Sequence, residues 1–302
     1  MGKVHSVAVV LFTLVLTCPG RLRILRAPLV SSVADLDHRA DPSITDPCRD
    51  RSTPPPLKEA LRLVCSREPV EAAKRGIRKA IILGFVGGFV KPDNAKHPEV
   101  LFARYLGNRY GSAVHVEIFG NHERKRAIKD TILRMKTDQD GVLAAAEKGQ
   151  VKIILYGHSW GASQALTFAR ELQRRGIPVA LTIQIDSVKK FGQDDHTVPA
   201  NVAKAVNFYQ RKGLTRGQPL IIPADAARTN ILGNFHMNYE HHQVNCDNYP
   251  WLSRVLNKPH HQIENDPRIW GQIVSLIDSE LLRTDAEVQA AWSRSQAPRS
   301  TR

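Results

Sequence analysis

Five short runs of β-branched and aliphatic residues recur along the chain: AIILGF (80–85), AVHVEIF (113–119), VKIILYG (151–157), PVALTIQID (178–186) and VAKAVNFYQ (202–210). Between the first four lie stretches of helical periodicity at 98–107, 122–136 and 160–175. A near-continuous apolar strand has to be buried on both faces, and strands that alternate with amphipathic helices build a parallel sheet covered on both sides. The third helical stretch ends in Arg174-Arg175-Gly176, a basic last turn followed by a glycine cap. A final helix is expected over 266–283, with Asp266 as N-cap and Pro267 as the first helical residue. Residues 211–258 are rich in Asn, His and Tyr and read as irregular. The fold class is α/β, with a mostly parallel sheet.

Apolar residues make up 42% and charged residues 24% of 302, which excludes a disordered or collagen-like chain. Residues 6–18 (SVAVVLFTLVLTC) follow Lys3 and have the length of a signal-peptide apolar region, short for a spanning helix. Export is therefore expected, with the product periplasmic, secreted or N-terminally anchored, although Arg21, Arg23 and Arg26 crowd the end of the run. The expected organisation is a signal peptide or anchor at 1–26, a basic arm at 27–78 with a short helix near 57–75, the α/β domain at 79–285 and a basic tail at 286–302. Within the domain, 187–258 is expected to form a lid and specificity region. Cys48 and Cys65 flank Pro54-Pro55-Pro56 and would close a loop of 17 residues in an oxidising compartment; two free thiols are the alternative.

The most informative residues are Gly157-His158-Ser159-Trp160-Gly161, at the end of one apolar run and the start of a helix. G-x-S-x-G between strand and helix is a nucleophile elbow: the turn is tight, only small residues fit beside the serine, and its hydroxyl projects at a helix N-terminus that favours developing negative charge. Such a serine needs a base and an orienting carboxylate, in the chain order Ser, Asp or Glu, His. Asp186 ends the next strand, at the sheet edge where ligands bind in open α/β sheets. Asp225, in Pro223-Ala224-Asp225, is the alternative acid. The base is expected on the loop before the last helix, where His260 and His261 stand side by side and spacing does not separate them. Oxyanion donors are expected from the N–H of Trp160 and from Phe85 or Val86, ahead of Gly87-Gly88.

These residues resemble the α/β-hydrolase superfamily of serine esterases, lipases and thioesterases. The resemblance covers about residues 79–283 and rests on strand order, GHSWG, Asp186 and His260. The segment H-x-x-I-E-x-D-P from His260 to Pro267, with the apolar helix after it, looks like a lipase- or thioesterase-like bacterial branch. The resemblance implies a triad of Ser159, Asp186 and His260, an ester or thioester substrate (a small molecule or a lipid) and no cofactor. Five visible strands, where the family commonly has eight, imply a reduced sheet.

Other readings compete. His236, His241, His242, Cys246, Asp247, His260 and His261 cluster in the sequence, but without H-E-x-x-H or paired C-x-x-C spacing, so no metal is expected. Lys and Arg number 43 against 29 Asp and Glu, a net charge of +14. No zinc-finger, RNP or helix-turn-helix pattern accompanies this surplus, so nucleic acid is not the expected partner; a solvated basic face is one reading and attraction to an anionic membrane surface the other. A non-catalytic binding or scaffold protein on the same fold is the remaining alternative.

Overall fold

AIILGFV presents no polar side chain, and these seven residues, Ala80–Val86, form strand β1, buried at every position. In chain order there follow α1 (Pro98–Tyr110), β2 (Val114–Gly120), α2 (Arg124–Met135), α3 (Ala145–Gln150), β3 (Lys152–His158), α4 (Trp160–Arg174) and β4 (Val179–Ile185). Then come β5 (Thr197–Val198), β6 (Val202–Tyr209), β7 (Ile222–Pro223), β8 (Asn230–His236), α5 (Trp251–Asn265) and α6 (Pro267–Leu282). The computed structural model describes residues 80–135 and 145–282. The expected signal peptide or anchor, the arm with its helix, the Cys48–Cys65 pair and the basic tail lie outside the described residues. Among the described residues no helix is long and apolar enough to cross a membrane.

The main sheet has six strands in the order β2-β1-β3-β4-β6-β8, and every neighbouring pair is parallel. Alternate side chains divide the core into two layers. Ile82, Ile154, Ile183 and Phe208 face α1 and α6, meeting Phe102, Leu106, Trp270 and Ile273. Ile81, Leu83, Ile153 and Leu155 face α2 and α4, meeting Ala127, Leu166, Phe168 and Leu172. Arg109 and Tyr110 of α1 both bond the Asp278 carboxylate of α6, at 2.6 and 2.7 Å, joining the two helices of one layer. Registers Phe85↔Gly157 and His158↔Ile185 bring the carboxyl ends of β1, β3 and β4 level.

Two expectations are corrected here. Residues 211–258 are not wholly irregular: β8 is a sixth strand, paired among the described residues with β6, and Ile222–Pro223 pairs with Thr197–Val198 in a small second sheet. In NILGNFH, Asn230, Gly233 and Asn234 break the apolar pattern because, among the described residues, one edge of β8 is paired and most of the strand is half-exposed. His260 and His261 lie inside α5 rather than on a loop. Pro259 falls within this helix, just after a kink at Asn257 with φ −130° and ψ 27°. A proline reads as a helix breaker, and here the kink accommodates it. The start of the last described helix follows expectation: the Asp266 carboxylate accepts the Arg268 N–H at 3.0 Å, and Pro267 opens α6.

Candidate active site

The β3–α4 junction turns within one residue. Ser159 takes φ 56° and ψ −124°, a strained conformation for a non-glycine residue, and α4 begins at Trp160. The turn leaves no space for side chains beside it. A Cβ at Gly157 would stand 2.4 Å from the Gly161 carbonyl carbon, and one at Gly161 would stand 1.9 Å from the Phe85 oxygen. Both glycines of the motif are therefore steric requirements. The elbow is tied to β4, where Ser159 N–H donates to Ile185 O at 2.9 Å and Val188 N–H to Ser159 O at 3.2 Å.

Asp186 follows β4 directly, with φ 43° and no exposed surface. Its N–H donates to Phe208 O of β6 at 2.7 Å. Its carboxylate accepts the Gln210 N–H at 3.0 Å and Gln210 Nε2 at 2.8 Å. The free direction of Oδ2 meets His260 Nδ1 at 2.6 Å, and His260 Nε2 lies 3.0 Å from Ser159 Oγ. Ser159 and His260 are buried, 8% and 7% exposed. Burial lowers the pKa of His260, and the His158 charge adds to this against the opposing Asp186 hydrogen bond. Both effects favour the neutral imidazole, the form that accepts a proton.

The alternatives from the sequence go elsewhere. His261 Nε2 pairs with Ser253 Oγ at 2.7 Å, and its ring stacks on Tyr249 at 3.8 Å. Asp225 caps its own turn, accepting the Ala227 N–H at 2.9 Å. Around the expected oxyanion position, Trp160 is the first residue of α4, where backbone N–H groups have no partner within the helix. Phe85 and Val86 end β1 beside the elbow, and Asn121 holds the loop after them. Asn121 Nδ2 donates to Val86 O at 3.2 Å and Gly88 O at 2.6 Å, and its Oδ1 accepts Lys190 Nζ at 2.7 Å. Neither Gln210 nor Asn121 was legible as a site residue. Each is a single amide whose role is fixed by a partner far away in sequence.

Two clusters have the residue types and closeness of cation ligands: His158 with Asp186 and His260, and His97 with Glu99 and Glu264. In both, imidazole nitrogens face carboxylate oxygens directly, the arrangement of ion pairs.

Neither a protein-family model nor a curated protein matches the chain. Among solved structures, one match is a protein described as a hydrolase of the alpha/beta superfamily from Xanthomonas campestris pv. campestris. It has 15% identity and a TM-score of 0.29, over 66% of this chain and 99% of that one. A second, described as a YdeN-like hydrolase from Pectobacterium atrosepticum, has 14% identity and a TM-score of 0.30, over 69% of this chain and 97% of that one. The fold assignment stands on the geometry of this chain itself. A parallel sheet with helices on both faces, a strand–serine–helix elbow at its centre, and an acid and a histidine following in that order define it: the described domain has an α/β-hydrolase fold with a six-stranded sheet.

Proposed function

We propose that this protein is a serine hydrolase that cleaves carboxylic esters or thioesters through an acyl-enzyme on Ser159. One observation carries the reading: the continuous chain from Ser159 Oγ through His260 to Asp186, at 3.0 and 2.6 Å. His260 Nε2 takes the hydroxyl proton as Ser159 Oγ attacks the acyl carbon, and the resulting imidazolium is stabilised by the Asp186 carboxylate. The N–H of Trp160 and that of Phe85 or Val86 stabilise the oxyanion. His260 then returns the proton to the leaving alcohol or thiol. Water, activated by the same imidazole, releases the acid and regenerates Ser159.

The surroundings favour a hydrophobic ester presented at an anionic lipid surface. Phe89 is 94% exposed and packs edge-on to Trp160 at 5.6 Å, next to the nucleophile. The helix that carries His260 also exposes Trp251, Leu252 and Val255. Lys190 lies over the Trp160 ring and lines a groove of about 540 Å³ with Asn121, Arg124, Arg126 and Gln193. Exposed apolar side chains interleaved with cations suit a negatively charged interface.

The test is fluorophosphonate labelling together with a nitrophenyl-ester series of increasing chain length. Wild type is expected to be labelled on Ser159 and to turn over long chains best. Ser159→Ala is expected to be unlabelled, with kcat lower by on the order of 10⁴–10⁶. Undiminished turnover by Ser159→Ala would refute the mechanism.

A further inference from the structure

Behind the triad lie four buried ionisable side chains that the acyl-transfer steps leave unused. His97 comes from the N-cap of α1, Glu99 from its first turn, His158 from the end of β3 and Glu264 from the last turn of α5. His158 Nδ1 stands 3.1 Å from Glu264 Oε2 and 3.7 Å from Glu99 Oε1. His97 closes the group, with Nδ1 against Glu99 and Nε2 3.7 Å from Glu264. Tyr249 Oη contacts Glu264 and lies 3.1 Å from His97 Nε2. The His158 ring packs against that of His260, with centroids 4.5 Å apart and planes inclined by 35°. Two carboxyl groups so deeply buried demand compensating positive charge, and the two imidazoles are placed to supply it.

We propose that His158 is a positioning residue for His260: held as a cation between Glu264 and Glu99, its ring is the flat support of the His260 imidazole and a positive charge that resists protonation of that base. The proposal rests on the hydrolase reading above. It gives the first variable residue of the elbow motif a role in setting the pH range of catalysis. Burial opposes charge on His158, but Glu264 and then Glu99 outweigh it and raise its pKa. Glu264 is held well below the usual carboxylate range: burial works against this, and the charge of His158 overcomes it. His260 is faced by Asp186 after β4, Ser159 at the elbow, His158 from β3, and His261 and Glu264 from its own helix. His158 is faced by Glu99 of α1, Glu264 and His260 of α5, and Asp186 at longer range.

His158→Phe keeps a flat ring and removes the charge. The acidic limb of kcat/KM for a nitrophenyl ester is expected to move up by on the order of one pH unit, because a like charge near the base has been removed. His158→Ala loses the support as well, and is expected to show the same shift with a plateau kcat lower by on the order of tenfold. A merely structural role would lower activity at every pH without moving the limb. The charge is read independently on wild type by ring-nitrogen NMR titration without substrate, with His158 expected to be protonated at pH 7. A neutral His158 ring at pH 7, coincident limbs for wild type and His158→Phe, or a stoichiometric metal ion lost on Glu99→Gln substitution would each overturn the proposal. The ring titration needs no turnover. A failed hydrolase reading, seen as no fluorophosphonate adduct on wild type, is therefore a separate result from a failed assignment of His158.

Discussion

Gly217 offers a sharp test of how Asp186 is held. The backbone of Gly217 does not require glycine, since its φ is not among the positive values of the chain. Space is what matters: a Cβ there would lie 2.0 Å from Asp186 Oδ1 and 2.8 Å from Asp186 Cα. Ordinary contact begins near 3.4 Å, so in Gly217→Ala the carboxylate oxygen has to retreat by roughly 1.4 Å or the 217 backbone has to yield. Asp186 Oδ1 is held by the Gln210 N–H at 3.0 Å, and Oδ2 by Gln210 Nε2 at 2.8 Å and His260 at 2.6 Å. A turn of the carboxylate thus strains all three bonds. Overpacking of this kind costs about 1–3 kcal/mol of stability. A misplacement of about 1 Å in the catalytic constellation costs on the order of 10² in rate. The expected outcome is kcat/KM for a nitrophenyl ester down by on the order of 10²-fold, with a melting temperature lowered by a few degrees. Wild-type kcat/KM in a folded Gly217→Ala protein would refute the argument that the exact placement of Asp186 matters.

The two adjacent histidines separate by substitution: His260→Ala is expected to lose on the order of 10⁴-fold or more in kcat. His261→Ala is expected to keep activity within about tenfold and to lose about 1–2 kcal/mol in thermal denaturation, the worth of its Ser253 hydrogen bond and Tyr249 stacking. The third prediction concerns pH and stability. Burial works against the charge on His97, but Glu99 and then Glu264 push its pKa from 6.5 up to about 9. A pKa raised in the folded state contributes stability that is complete below 6.5 and lost as the pH rises towards 9. The melting temperature of wild type is therefore expected to fall across that window, by about 2–4 °C per kcal/mol, and the fall to flatten in His97→Gln. A melting temperature independent of pH over this range would show that His97 is not charged.

The central strands were legible because their sequences leave no alternative: AIILGFV and KIILYGH carry too little polarity to face water, so burial on both sides is forced. The edge strand β8 was not, since a strand paired on one side tolerates Asn and Gly and loses its apolar signature. α5 was hidden by Pro259, which ordinarily stops a helix and here sits just past the kink at Asn257. The elbow was readable from five consecutive residues because its constraint is local: the steric limits at Gly157 and Gly161 follow from the turn itself.

Local chemistry in the sequence determined the α/β architecture, the position of the serine and a short list of acids and bases. Only the tertiary structure brings His260 rather than its neighbour, and Asp186 rather than Asp225, into contact with one another and with Ser159, because adjacent residues on a helix point in different directions and the contact depends on which one faces a strand end about a hundred residues earlier. The same holds for the buried group of His97, Glu99, His158 and Glu264. Three elements, α1, β3 and α5, contribute to it, and the charges that hold it together act through space rather than along the chain.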